Sequence, residues 1–220
     1  MTGAQALSIV VLVSGRGSNL QSLIDAQQRG EIRGAIRAVV SNRADAFALI
    51  RAREAGIATQ VVDHKALPDR SSYDQELMAR IEVYQPGLIA MAGFMRILSA
   101  EFITRFAGRM LNIHPSLLPE FRGLHTHRRA LASRVAYHGC SVHFVTNEVD
   151  AGPVVIQARV RVEPGDDPDT LAARVLRREH VIYPRAVSWF CAGRLALRGD
   201  AVYLDGAPLK RPVMLDEADA

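Results

Sequence analysis

Cysteine is nearly absent from this 220-residue sequence, which contains Cys140 and Cys191 and no others. Two thiols cannot build a disulfide framework, and neither lies in a metal-type pair, so both read as reduced thiols of a cytoplasmic protein. Long apolar runs are missing too. The longest early one, Leu7 to Val13, is too short to cross a bilayer, and Met1 to Ala6 has no basic residue to open a signal peptide. No membrane partner is expected. Excess charge is small: the formal net charge of +4 suits acidic ligands such as phosphates and polycarboxylates and is a weak argument for nucleic acid, which is not expected as a partner. Low-complexity stretches, repeats and a linker-like break in composition are lacking. What remains, 49% hydrophobic and 23% charged residues, reads as one globular domain over residues 1–220.

The apolar residues are arranged in alternating short runs and stripes. Leu7–Val13 is a β-branched run that reads as a strand buried on both faces. Ser14-Gly15-Arg16-Gly17 breaks it, and Ser18-Asn19-Leu20-Gln21 opens a helix with Ser18 and Gln21 at capping-box spacing, ended by Gly30. Strands are then expected at 36–41, 59–62, 88–92 and 110–114. Helices are expected between them at 44–55, 73–84 and 100–106. After residue 138 the pattern changes to two strands, 140–147 and 154–162, joined by a turn. A long helix at 170–189, bent or interrupted near Pro184, and a hairpin around Gly199-Asp200 follow, and 216–220 reads as a frayed tail. The fold class is α/β: a Rossmann-like, mostly parallel sheet with helices on both faces, and a C-terminal part with antiparallel strands.

Two places concentrate chemistry. A buried strand, a glycine turn and a helix start aim backbone N–H groups at one point, which makes a phosphate cradle around Gly17, Ser18 and Asn19. The loop is neither a Walker A nor a G-x-G-x-x-G motif, so an ordinary tight turn before a capped helix remains an alternative. The second place is Asn112-Ile113-His114-Pro115. Side chains alternate along a strand, so Asn112 and His114 share a face, and Pro115 ends the strand where open α/β sheets hold their ligands. An amide there can stabilise an oxyanion and an imidazole can move a proton.

Asp150 lies in the turn before Ala151-Gly152-Pro153 and would favour an imidazolium if brought to His114; spacing alone does not bring it there. His125, His127, His138 and His143 lack helical ligand spacing and a completing carboxylate or cysteine, so no metal is expected. His127-Arg128-Arg129 and Arg177-Arg178 read as solvated helix faces.

Several stretches in order carry a family resemblance: Val13–Leu20, Ala92-Gly93-Phe94-Met95-Arg96-Ile97-Leu98, Leu111–Pro119, Gly123–His127, Ser141–Val145 and Asp150–Pro153. From about Ile9 to about Trp189 the chain resembles the glycinamide ribonucleotide formyltransferases, within a formyltransferase superfamily marked by Asn-x-His-Pro-Ser-Leu-Leu-Pro. The resemblance implies the formyltransferase fold, with a nucleotide-binding N-terminal half and a folate-binding C-terminal half. It implies 10-formyltetrahydrofolate as formyl donor, glycinamide ribonucleotide as acceptor, and no metal.

By the same resemblance Gly17, Ser18 and Asn19 hold the phosphate and Glu179 the ribose or glycinamide part. Met95, Arg96, Ile97 and Leu98, with Arg70 nearby, line the folate pocket. Asn112, His114 and Asp150 form the catalytic set, Asn112 and Asp150 also meeting the folate. Arg16 and Arg122 stand at variable positions inside the motifs. A homodimer is admitted but not required. The alternatives are a formyltetrahydrofolate hydrolase, expected to carry an added domain before this core, a transfer-RNA formyltransferase, expected to carry one after it, and a non-catalytic nucleotide-binding module.

Overall fold

The computed structural model describes residues 6–216. The first half alternates strand and helix: β1 (Leu7–Val13), α1 (Ser18–Gln28), β2 (Gly34–Ser41), α2 (Phe47–Glu54), β3 (Ala58–Val61), α3 (Arg70–Glu82), β4 (Leu88–Met91), α4 (Ala100–Arg105) and β5 (Met110–His114). The second half contains α5 (Thr126–Ala132), β6 (Tyr137–Phe144), β7 (Val154–Arg161), α6 (Pro168–Cys191), β8 (Leu195–Arg198), β9 (Ala201–Leu204), β10 (Ala207–Pro208) and β11 (Val213–Leu215). Eight strands form one sheet in the order β11-β7-β6-β5-β4-β1-β2-β3, and β8, β9 and β10 form a small antiparallel sheet. The pairs from β3 across to β5 are parallel, β5-β6 and β6-β7 antiparallel, and β7-β11 parallel. The chain leaves β1 toward β2 on one side and returns to β4 on the other. That reversal opens a crevice at the carboxyl ends of β1 and β4, where sheets of this kind bind ligands.

Alternation along the strands divides the apolar residues between two cores. Ile9, Val11 and Val13 of β1 join one core with residues of α1, α2 and α6; Val10 and Leu12 join the other with residues of α3 and α4. On β5, Leu111 and Ile113 enter the first core. Asn112 and His114 face the other way, where apolar packing ends. Ser141 and His143 of β6 and Gln157 of β7 share that polar face, as their pairing with β5 requires: Asn112 stands opposite His143, His114 opposite Ser141, and Ser141 opposite Gln157. The face is held by bonds. Ser141 donates to the Ser116 carbonyl at 2.6 Å and accepts from the Leu118 N–H, and Gln157 donates to Ser141 and to the Leu118 carbonyl.

Several expectations need correction. Ser18 is not an N-cap. Gly17 caps α1 in a left-handed conformation, φ 72°, with no side-chain bond, because side-chain capping needs an extended cap residue and the loop is drawn against α2 by the Ala48 N–H to Gly15 carbonyl bond at 3.0 Å. The long helix runs through Pro184 without interruption and starts two residues earlier than expected. Asp167 accepts the Thr170 N–H, the Thr170 hydroxyl accepts the Asp167 N–H, and Pro168 fills the first turn. Strands β10 and β11 were not anticipated; they are short and lie among glycine and prolines. Residues 217–220 of the expected frayed tail and 1–5 of the N-terminal stretch lie outside the described residues.

Gly17 generates a prediction. A Cβ there would lie 2.6 Å from the Ala48 Cβ and 2.7 Å from its Cα, on a backbone already left-handed. Gly17→Ala should cost roughly 2–4 kcal/mol, the combined scale of left-handed strain and overpacking. Urea denaturation measures it, and an unchanged midpoint would mean that the loop is not pinned.

Candidate active site

The glycine turn ends β1 and delivers the start of α1 into the crevice. Ser18 and Gly17 are half-buried and Asn19 is buried, so the first helical N–H groups open on a sheltered surface. Asn19 reaches across to α6, where its Nδ2 donates to Glu179 Oε2 at 2.6 Å. Glu179 is buried, and burial raises its carboxyl above the usual range although the Asn19 bond opposes this. The Asn19 Oδ1 is buried without a partner. Gly17, Ser18, Asn19 and Glu179 are thus brought together. Arg16 is exposed; its carbonyl accepts from Arg51 Nε at 3.0 Å.

The second cluster stands on the polar face of β5. His114 is buried, with Nε2 3.1 Å from the Phe121 carbonyl and Nδ1 3.3 Å from Asp150 Oδ2. Both neighbours only accept, so the ring would satisfy both only as imidazolium. Burial opposes that charge and wins: it pulls His114 below its ordinary range despite the Asp150 carboxylate and the Phe121 carbonyl. Asp150 favours the imidazolium as expected, but burial prevails over it. Asp150 is itself half-buried. Burial would raise its carboxyl, but the neighbouring His143 and His114 rings and the Gly123 N–H at 3.0 Å lower it by more, so Asp150 lies below the usual carboxylate range. Asn112 Nδ2 lies 3.1 Å from His143 Nε2, and His143 Nδ1 lies 2.9 Å from the Phe144 carbonyl. Asp150 Oδ1 stands 3.6 Å from the same Nε2, so the Asn112 amide and the Asp150 carboxylate converge on one ring nitrogen.

A cleft of about 670 Å³ opens in front of this cluster. Met95, Arg96, Ile97 and Leu98 line one wall and the Asp150 turn another. Met95 and Ile97 are exposed apolar side chains, which a planar aromatic ligand would cover. The wall is tied to its surroundings: the Met95 N–H donates to Ser14 Oγ at 2.8 Å, the Ser99 N–H to buried Asp74 at 2.6 Å, and Arg70 Nη2 to the Leu98 carbonyl. Arg70 braces this wall and is not part of the lining. Arg122 pairs with Glu148 at 2.7 Å on the surface.

Among the described residues no group of three or more His, Cys, Asp or Glu side chains is arranged to hold a metal. His127 and His138 contact each other at 3.2 Å, and burial lowers both, His138 to about 4. Arg128, Arg129 and Arg177 are exposed as expected, whereas His127 and Arg178 are half-buried.

His143, which the sequence showed only as one of a group of histidines, stands beside Asn112 and Asp150 and lines the cleft. The available signal was strand alternation in Ser141-Val142-His143, which places His143 on the face of Ser141. Pairing opposite Asn112 needed the antiparallel register.

The family model described as formyl transferase matches residues 7–187. The phosphoribosylglycinamide formyltransferase of Escherichia coli (strain K12) is 55% identical over 203 residues, 92% of this chain and 96% of that protein. That of Haemophilus influenzae is 43% identical over the same length and shares. Among solved structures, the phosphoribosylglycinamide formyltransferase of Coxiella burnetii superposes with a TM-score of 0.92 at 50% identity, covering 96% of this chain and all of that one.

The His114 surroundings predict the effect of removing one charge. Asp150 is the largest influence that raises His114, so Asp150→Asn should push its pKa further down. The neutral ring then persists to lower pH in the variant than in the wild type. NMR titration of the ring protons measures both values, and an unchanged or higher value in the variant would contradict the geometry.

Proposed function

The chain belongs to the formyl transferase family, and on that premise we propose that it moves the formyl group of 10-formyltetrahydrofolate to the amine of glycinamide ribonucleotide, a step of purine synthesis. The observation that carries this reading is the gathering of Asn112, His114 and Asp150 at one strand end, facing an apolar-walled cleft. Full-length similarity to proteins of that name supports it.

Gly17 and the N–H groups of Ser18 and Asn19 receive the phosphate, and the Asn19–Glu179 pair meets the remainder of the ribonucleotide, whose donors would satisfy the unpaired Asn19 Oδ1. The folate ring system enters between the Met95–Leu98 wall and the Asp150 turn. The two subsites meet because β1 and β4 are neighbours in the sheet.

The chemistry needs no covalent enzyme intermediate. The amine nitrogen bonds to the formyl carbon, the carbonyl electron pair moves to oxygen, and the carbon–nitrogen bond to the folate then breaks. One proton must leave the attacking amine and one must reach the departing folate nitrogen. Neutral His114 takes the first, and its imidazolium supplies the second. While charged it stabilises the oxyanion together with the Asn112 amide, and Asp150 stabilises the cation. The Phe121 carbonyl lies 3.1 Å from Nε2 and competes with the formyl oxygen for that nitrogen.

Mixing the protein with 10-formyltetrahydrofolate and glycinamide ribonucleotide should release tetrahydrofolate only when both are present. Asn112→Ala should slow this on the order of a hundredfold, about 3 kcal/mol, as loss of one oxyanion donor does, while both ligands still bind. Equal release without the ribonucleotide would assign the protein to hydrolysis instead.

A further inference from the structure

Helix α6 carries a second polar group into the sheet. Tyr183 lies four residues after Glu179, one turn along the same helix face. It is fully buried in the core that also contains Leu111 and Ala90. Buried aromatic residues are ordinarily packing, and the ring serves that purpose here. The hydroxyl does something else. It donates to the Met91 carbonyl at 2.9 Å and lies 3.2 Å from the Leu111 carbonyl, so one proton is shared between acceptors on two neighbouring strands. Met91 is the last residue of β4 and lines the cleft; the loop that forms the cleft wall begins after it. Leu111 directly precedes Asn112, which pairs with Met91 in the sheet. Burial pushes the Tyr183 hydroxyl well above its ordinary pKa, so it remains a donor throughout the working pH range.

We propose that Tyr183 is a positioning residue for formyl transfer: its shared hydroxyl proton sets the spacing of the β4 and β5 ends, and so the distance between the cleft wall and the Asn112 amide. Because Glu179 sits one turn earlier on the same helix and holds Asn19, α6 also references the ribonucleotide subsite to that spacing. The proposal rests on the formyl-transfer reading above. It concerns the chemical step rather than ligand affinity, since Tyr183 is fully buried and touches no ligand.

Tyr183→Phe keeps the ring and removes the proton. It should lower kcat roughly ten- to a hundredfold, the scale of a misplacement of about 1 Å, with KM for both substrates changed by less than about twofold. In an Asn112→Ala background the same substitution should cost less than in the wild type, because one of the groups it positions is already gone. Tyr183→4-aminophenylalanine, which retains a para donor, should restore kcat to within about threefold of wild type, as only the shared hydrogen bonds are at stake. Val187→Ala, in the same core one turn further on, controls for loosening of the helix and should leave kcat near wild type.

Wild-type kcat in a folded Tyr183→Phe protein would overturn the proposal, as would a full additional loss in the Asn112→Ala background. If Tyr183→Phe does not fold, the aminophenylalanine protein decides alone, and a loss of more than about tenfold in its folded form is the overturning result. Absence of formyl transfer in the wild type would instead overturn the functional reading, so the two failures are distinguishable.

Discussion

Strand β5 is buried on both faces, but only one of them packs against hydrocarbon. Leu111 and Ile113 enter a core shared with α6, while Asn112 and His114 face a layer where every polar atom must find a partner or a ligand. The rest of the architecture follows from supplying those partners. Strand β6 runs antiparallel so that His143 stands opposite Asn112. The turn after β6 returns Asp150 to within 3.3 Å of His114, at the cost of a left-handed φ of 50°. The segment after Pro115 folds back so that the Phe121 carbonyl covers Nε2, and Ser141 and Gln157 hold its base. A hydrocarbon layer in this position would need none of these contacts.

The same burial sets the electrostatics. The imidazole faces two acceptors, an arrangement that asks for a cation, yet removal from water disfavours the charge by more than they favour it. Asp150 is kept ionised by the groups around it and places a fixed charge beside the imidazole.

Much of this was legible in the sequence where one local rule governed. The runs Leu7–Val13 and Met110–His114 coincide with β1 and β5, the first because a parallel strand buried on both faces leaves a nearly continuous apolar signature, the second because its apolar residues alternate with Asn112 and His114. The shared face of Asn112 and His114 followed from the pleat, and Gly199-Asp200 marked the β8–β9 hairpin. Errors arose where tertiary contact overrode a local signal. Ser18 and Gln21 have capping-box spacing, but the approach of Ala48 makes Gly17 the cap. Asp167-Pro168-Asp169-Thr170 held a true capping box that the expected start at Thr170 passed over. His143, the reach of Asp150 and the bond from Arg70 to the Leu98 carbonyl depend on register and on chain return, which no window of sequence contains. The burial that lowers His114 is likewise a property of the packed layer.

The central claim is that His114 rests neutral and becomes charged when a negative oxygen occupies the cleft. Nitrogen-15 NMR of the His114 ring tests it directly at pH 7, first in the free protein and then with a stable mimic of the tetrahedral adduct bound. The account predicts one protonated and one unprotonated ring nitrogen in the free protein, and two protonated nitrogens in the complex. An imidazolium already present in the free protein, or a ring that stays neutral beside the bound mimic, would contradict it.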